Sequence, residues 1–232
     1  MGLPIKKSIS SILVSFNNRG GQAHPTTGQR INMKNKSLMQ QALGQQWELL
    51  PPALKAHYGE NENGENHAKG VLSINYPWFM QWPLSFFRLL GALVNKRGKN
   101  LTTTVSKINQ GGKQFWHREI VYPNGETIVF DSVFVSSENK CFIEYINAFL
   151  GLKMCAFVEG DKLRYESKGY VLKIGKLKIP IPEWLALGHA SIIEWQAEGN
   201  DDHTFDMDFR IKHPLFGEVF CYKGKFTTKS NV

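Results

Sequence analysis

From residue 101 onward, apolar and polar positions alternate in short runs, each closed by a turn signal. A period of two marks β-strands, whose successive side chains point to opposite faces. The pattern predicts strands over 101–108, 113–122, 126–135, 141–148, 152–158, 163–174, 190–197, 203–212 and 218–227, preceded by one over 71–76. Gly111-Gly112 and Asn124-Gly125 supply the positive φ of tight hairpins, and 137–140, 160–161 and 199–202 are longer turns of the same antiparallel kind. Links this short cannot hold the crossovers of a parallel sheet, so the strands form a meander.

The faces are not equivalent along this series. Phe205, Met207, Phe209 and Ile211 alternate with Thr204, Asp206, Asp208 and Arg210, as in a strand with one buried and one wet face. Over 126–135, Ile128, Phe130 and Phe134 share one face while Val129, Val133 and Val135 share the other, so the second face needs a cover. The most apolar stretch, 78–94, offers a helix over 83–95 for that role. Upstream, Ser37 caps a helix over 38–43 that Gly44 interrupts, and Pro51-Pro52 open a second over 53–58. The two pack through Leu38, Leu43, Trp47, Leu50 and Leu54, and the polar residues 59–69 form a flexible loop. The expected fold is mainly β within the α+β class. It is a curved antiparallel sheet or partly closed β-barrel meander of about 9–10 strands, with short N-terminal helices and one apolar helix packed on the sheet.

A set of short motifs in fixed order resembles a known family. They are Leu43-Gly44 with Trp47, Leu50, Pro52 and Leu54; Trp116-His117-Arg118; Phe134 with Ser136; Glu144; Gly169-Tyr170; Pro180 with Pro182; and His213-Pro214-Leu215-Phe216-Gly217 with Tyr222 and Gly224. Together they are similar to the bacterial domain-of-unknown-function family 4166, over roughly residues 38–228. The resemblance implies no activity, ligand or catalytic residue. Members of that family resemble stand-alone proteins or C-terminal partners of dinucleotide-binding, saccharopine-dehydrogenase-like modules. This chain shows no such module, so an oxidoreductase partner would be a separate protein.

Charge narrows the choice of partner. The net charge is +8, but residues 1–36 hold six basic residues and no acid, which leaves +2 for the remainder of the 232 residues. These residues read as a disordered basic leader, and 37–232 as one β-rich domain. No basic stripe with aromatic platforms runs along the folded part, so nucleic acid is not an expected partner. Cys141, Cys155 and Cys221 are odd in number and lack C-x-x-C spacing, which fits reduced thiols and a cytoplasmic setting. Lys6-Lys7 and residues 9–16 only faintly resemble a secretory signal, and Met33 is an alternative start. Without export, the Asn35-Lys36-Ser37 and Asn100-Leu101-Thr102 sequons carry no meaning. The helix expected over 83–95 spans only about 20 Å, too short for a bilayer.

No phosphate loop, dinucleotide fingerprint or nucleophile elbow occurs, and no two histidines stand at metal-ligand spacing, so neither cofactor nor metal is expected. More informative are charges stranded on apolar strand faces. Arg118 shares a face with Trp116, Ile120 and Tyr122; Glu144 lies with Phe142 and Ile146; Glu194 lies with Ala190 and Ile192. Structural ion pairs explain them most simply. The alternative is a ligand cluster of Trp116, Arg118, Glu144, Tyr170, Glu194 and Tyr222, orienting the polar end of an apolar molecule. An interior of about 300 Å³ or more would hold such a ligand.

Trp78, Phe79, Trp82 and Phe86 form a second candidate, as a lid or a shallow membrane-surface contact, although core packing of an all-round apolar helix is the favoured expectation. The basic run 173–178 reads as a solvated sheet edge, and the turn at His213 as a hairpin corner rather than a catalytic site. The preferred function is a non-catalytic binding or accessory module for a hydrophobic small molecule or lipid. An enzyme acting on such a molecule, with Arg118 and Glu144 or Glu194 in its site, is the first alternative. A protein-interaction accessory of a separate NAD(P)-dependent oxidoreductase is the second.

Overall fold

The computed structural model describes residues 36–59, 64–89, 91, 94–199 and 201–229. The leader, except Lys36, and the alternative start at Met33 lie outside the described residues.

The strands are β1 (Glu65–Asn75), β2 (Gly98–Gln110), β3 (Lys113–Val121), β4 (Thr127–Ser136), β5 (Cys141–Tyr145), β6 (Leu150–Glu159), β7 (Lys162–Ile174), β8 (Leu177–Ile181), β9 (His189–Gln196), β10 (Thr204–His213) and β11 (Gly217–Thr228). From β1 to β7 each pairs antiparallel with the next. β7 then serves two partners on its other edge. Leu163 opposes Glu194 of β9, while Leu172 opposes Ile179 of β8. β9, β10 and β11 follow in order, and β11 returns to β1 with Leu72 opposite Gly224. The result is a closed antiparallel barrel of ten strands, with β8 as an eleventh outside the ring. The seam between β1 and β11 is tight: a Cβ on Gly70 would lie 2.0 Å from the Lys225 carbonyl oxygen.

Helices close both ends. α1 (Leu38–Leu43) begins with a capping box in which Ser37 Oγ accepts from the Gln40 N–H at 3.2 Å and Gln40 Oε1 accepts from the Ser37 N–H at 2.7 Å. A 3₁₀ turn, Gly44–Leu49, leads to α2 (Pro52–Tyr58). Leu38, Leu43, Trp47, Leu50 and Leu54 are all buried in the main core, as their spacing predicts. This pair is tied to its end of the barrel by side-chain amides: Gln46 Oε1 accepts from the Val158 N–H, and Gln196 Oε1 from the Ala53 N–H. A 3₁₀ turn (Trp78–Met80) and α3 (Gln81–Leu89) cap the opposite end.

Several expectations are corrected. α3 starts and stops earlier than 83–95, and it seals the barrel mouth instead of covering the outer face of β4. That outer face is covered in part by its own neighbours, with Val135 packed on Ile143, Tyr145 and Val171 and Val133 opposite Tyr145, while Val129 stays exposed. Nor is the segment from 78 to 89 core all round. Met80 and Leu84 are buried, whereas Trp78, Trp82, Phe86 and Leu89 are 81%, 85%, 60% and 86% exposed. Both helical stripes are apolar, so periodicity could not tell which faced inward. The loop expected over 59–69 gives way to β1 at Glu65, because pairing with β2 and β11 overrides weak local preference. Finally, Cys141 and Cys155 oppose each other across β5 and β6 and form a disulfide, leaving Cys221 as the free thiol. No helix among the described residues is long and apolar enough to cross a membrane.

Candidate functional site

The barrel encloses a cavity of about 130 Å³. This is below the 300 Å³ of a drug-sized site, yet the interior is not filled; an apolar cavity of about 150 Å³ holds a benzene-sized body. Its wall is mostly aliphatic and aromatic, running from Leu38 and Met39 of α1 to Phe87 of α3. All six residues of the expected ligand cluster, Trp116, Arg118, Glu144, Tyr170, Glu194 and Tyr222, line it. Strand alternation brings them together, since each occupies an inward position of its strand.

Two polar groups interrupt this wall. In the first, Arg118 Nη2 donates to Glu144 Oε1 at 3.1 Å and Nη1 to Ser132 Oγ at 2.9 Å, while Ser132 Oγ donates to the same Glu144 oxygen at 2.7 Å. The guanidinium also lies over the Trp116 ring at 4.6 Å. Arg118 and Glu144 are thus an ion pair with a hydroxyl closing the triangle.

The second group lies toward α2 and contains residues that sequence reasoning missed. Lys107, 1% exposed, donates from Nζ to His57 Nε2 at 2.7 Å and to the His57 carbonyl at 2.8 Å. The same Nζ lies 4.3 Å from the Tyr58 ring centroid and 4.2 Å from that of Trp116. Burial holds the Lys107 amine well below the ordinary lysine range. Burial, and then the neighbouring Lys107 and Arg118 charges, hold the His57 imidazole low as well. Glu194 accepts from the Tyr58 hydroxyl at 2.7 Å, and burial pushes its carboxyl up to about 7. Because His57 Nε2 accepts from Lys107, the ring proton is assigned to Nδ1. That Nδ1 is buried with no hydrogen-bond partner, whereas the Tyr165 hydroxyl is engaged by Tyr58 and Glu194. His57 and Tyr165 both line the cavity. The missed Lys107 carried a readable signal: it follows Leu101, Thr103 and Val105 at steps of two, hence on the inward face.

Two other histidines, His213 and His189, are held structurally. His213 Nε2 donates to the Trp184 carbonyl and its Nδ1 accepts from the Leu215 N–H, which makes it a hairpin corner as expected. His189 lies between Glu166 at 2.6 Å and Glu183 at 2.9 Å, with Ser167 Oγ 3.3 Å from Nδ1. This is not a nucleophile triad, since the Ser167 hydroxyl donates to Glu183 and accepts from the Ala190 N–H. Trp78, Phe79, Trp82 and Phe86 stand away from the polar groups, on the outside of the capped mouth. The edge expected over 173–178 becomes the turn into β8, the strand outside the ring.

A closed up-and-down barrel with helices over both mouths and charged groups held inside defines the class of this protein. Within that class, the chain belongs to the family described as Domain of unknown function (DUF4166), whose model matches residues 50–226. No curated protein matches the chain.

Proposed function

We propose that the barrel binds a small apolar molecule that carries one hydrogen-bonding group. The observation that supports this most directly is the cavity of about 130 Å³, apolar over most of its wall, into which His57 brings a buried ring nitrogen without a partner. Buried polar atoms are ordinarily satisfied, so an acceptor supplied by a ligand accounts for the His57 Nδ1–H. The volume suits a body of benzene size or a short acyl chain. The cytoplasmic setting read from three free thiols loses its ground with the Cys141–Cys155 bond.

Native mass spectrometry of the purified chain, followed by thermal-shift titration with indole, hexanol and hexanoate, tests the reading. An adduct of matching size, or a concentration-dependent rise in Tm that Trp116→Ala removes, supports it. A folded protein that shows neither adduct nor shift overturns it.

One observation favours catalysis as a second reading: Glu194, poised near 7, lines the cavity beside Tyr58 and Arg118. Turnover of a bound molecule, lost in Glu194→Gln with the fold and the binding kept, distinguishes catalysis from binding.

A further inference from the structure

The α3 end of the barrel collects the β1–β2, β3–β4, β5–β6, β7–β8 and β10–β11 connections, and the β8–β9 link, which joins two strands running the same way along one edge of β7, is tied to it where His213 meets the Trp184 carbonyl. Apart from the polar β3–β4 turn, each of them exposes large apolar side chains. Trp82, Phe149, Leu177, Trp184 and Leu215 are 85%, 61%, 61%, 63% and 81% exposed, one from each connection or its flanking strand end. Phe79 of the first lies 6.1 Å, ring to ring, from Phe216 of the last, so the set continues from loop to loop. Separate exposed apolar residues are ordinary on a surface; a continuous set at one pole marks an interaction site.

Basic residues surround this set. Arg88, Arg97, Lys173, Lys176 and Lys178 belong to the same connections, against Glu126, which pairs with Lys96, and Glu183, which is engaged by His189. The turns of the opposite pole are mixed, with Glu138, Glu159, Asp161, Glu198, Asp201 and Asp202 beside Lys113, Lys140 and Lys162. The basic excess therefore lies at the pole that carries the aromatic residues. The wall is unsuited to lipid, because β10 and β11 point Asp208, Arg210 and Glu218 outward as an ion-pair network.

We propose that the α3 end docks on an anionic lipid bilayer, with Trp82, Phe86 and Trp184 in the headgroup region and the lysines of the β7–β8 turn on the phosphates. Tryptophan rings and lysine stems suit that boundary, where an apolar body and a polar tip are both accommodated. Basic residues at an anionic surface add attraction that decays within a Debye length. The placement deepens the binding function proposed above, on which it rests for its purpose. Phe87 lines the cavity while its neighbour Phe86, 5.9 Å away ring to ring, faces outward, so α3 separates the interior from the docked bilayer by one layer of side chains.

Vesicle flotation of the full chain tests this, with phosphatidylglycerol and phosphatidylcholine at 3:7 against phosphatidylcholine alone. The expected result is binding to the anionic vesicles only. Trp82→Glu with Phe86→Glu, and separately Lys176→Glu with Lys178→Glu, should each weaken binding roughly tenfold or more. These side chains are exposed, so the variants should keep the wild-type circular dichroism, and cavity occupancy by native mass spectrometry stays a separate readout. Absence of wild-type flotation overturns the proposal. So does flotation undiminished in both variants, which would assign binding to the basic residues of 1–36. Self-association that Trp82→Glu abolishes, without flotation, overturns it in favour of a second copy of this chain.

Discussion

Lys107 Nζ lies 2.7 Å from His57 Nε2, inside the barrel, held by a ring nitrogen, a carbonyl oxygen and two aromatic faces rather than by a carboxylate. Such a lysine gives up its proton more readily than a solvated one, because nothing there repays desolvation of the charge in full.

The pH dependence of stability follows. An unfolded lysine stays protonated up to about 10.4, while folded Lys107 releases its proton well below that. Between the two values the unfolded state binds more protons, so stability rises with pH across that window. Lys107→Met should be at least as stable as wild type at pH 7 and should lose the rise. Urea denaturation at pH 7, 8.5 and 10 measures both effects.

Glu194 has the opposite sign. Its carboxyl, at about 7 in the fold, keeps a proton that the unfolded chain releases from 4.5 upward. Stability therefore falls as pH climbs from 4.5 to 7, by on the order of 3 kcal/mol, and the full contribution is present only below 4.5. Glu194→Gln removes this slope. A wild-type chain with the same midpoint difference from Glu194→Gln at pH 4.5 and pH 7 contradicts the assignment.

Arg118 and Glu144 are partners whose side chains are 15% and 13% exposed. Removing one leaves the other buried and unpaired, at a cost of roughly 3 kcal/mol; replacing both leaves no orphaned charge. Arg118→Met and Glu144→Leu should each destabilise strongly, while the double variant recovers at least half of the summed loss. A double-mutant cycle by urea denaturation reads this directly.

The disulfide joins residues separated by 14 positions, for which chain-entropy arguments give about 3 kcal/mol. Alkylation of the unreduced, denatured chain should label Cys221 alone, and prior reduction should expose all three thiols. A Cys141→Ser, Cys155→Ser double variant should melt several degrees lower.

Much of this architecture is legible along the chain. Alternation at Phe205–Ile211 and the Asn124-Gly125 turn mark strands and hairpins because those signals are local. The inward placement of Trp116, Arg118 and Glu144 follows from the same parity. Lys107 obeys that rule too, yet a lysine at the end of a strand resembles a solvated edge until a helix is seen to cover it. The Cys141–Cys155 pairing depends on the register of β5 against β6, which no local pattern contains.

The sequence by itself determined the strands, their antiparallel order and the parity that sends a few charges inward, since each rests on neighbours one to four residues apart. Tertiary structure alone decided that β7 meets β9 past β8 and β11 meets β1 to close the ring, that His57 comes from a helix to meet Lys107, and that α3 turns Leu84 inward and Trp82 outward. Those outcomes depend on contacts between residues far apart in the chain, where two equally apolar stripes compete and only the space left by the barrel chooses between them.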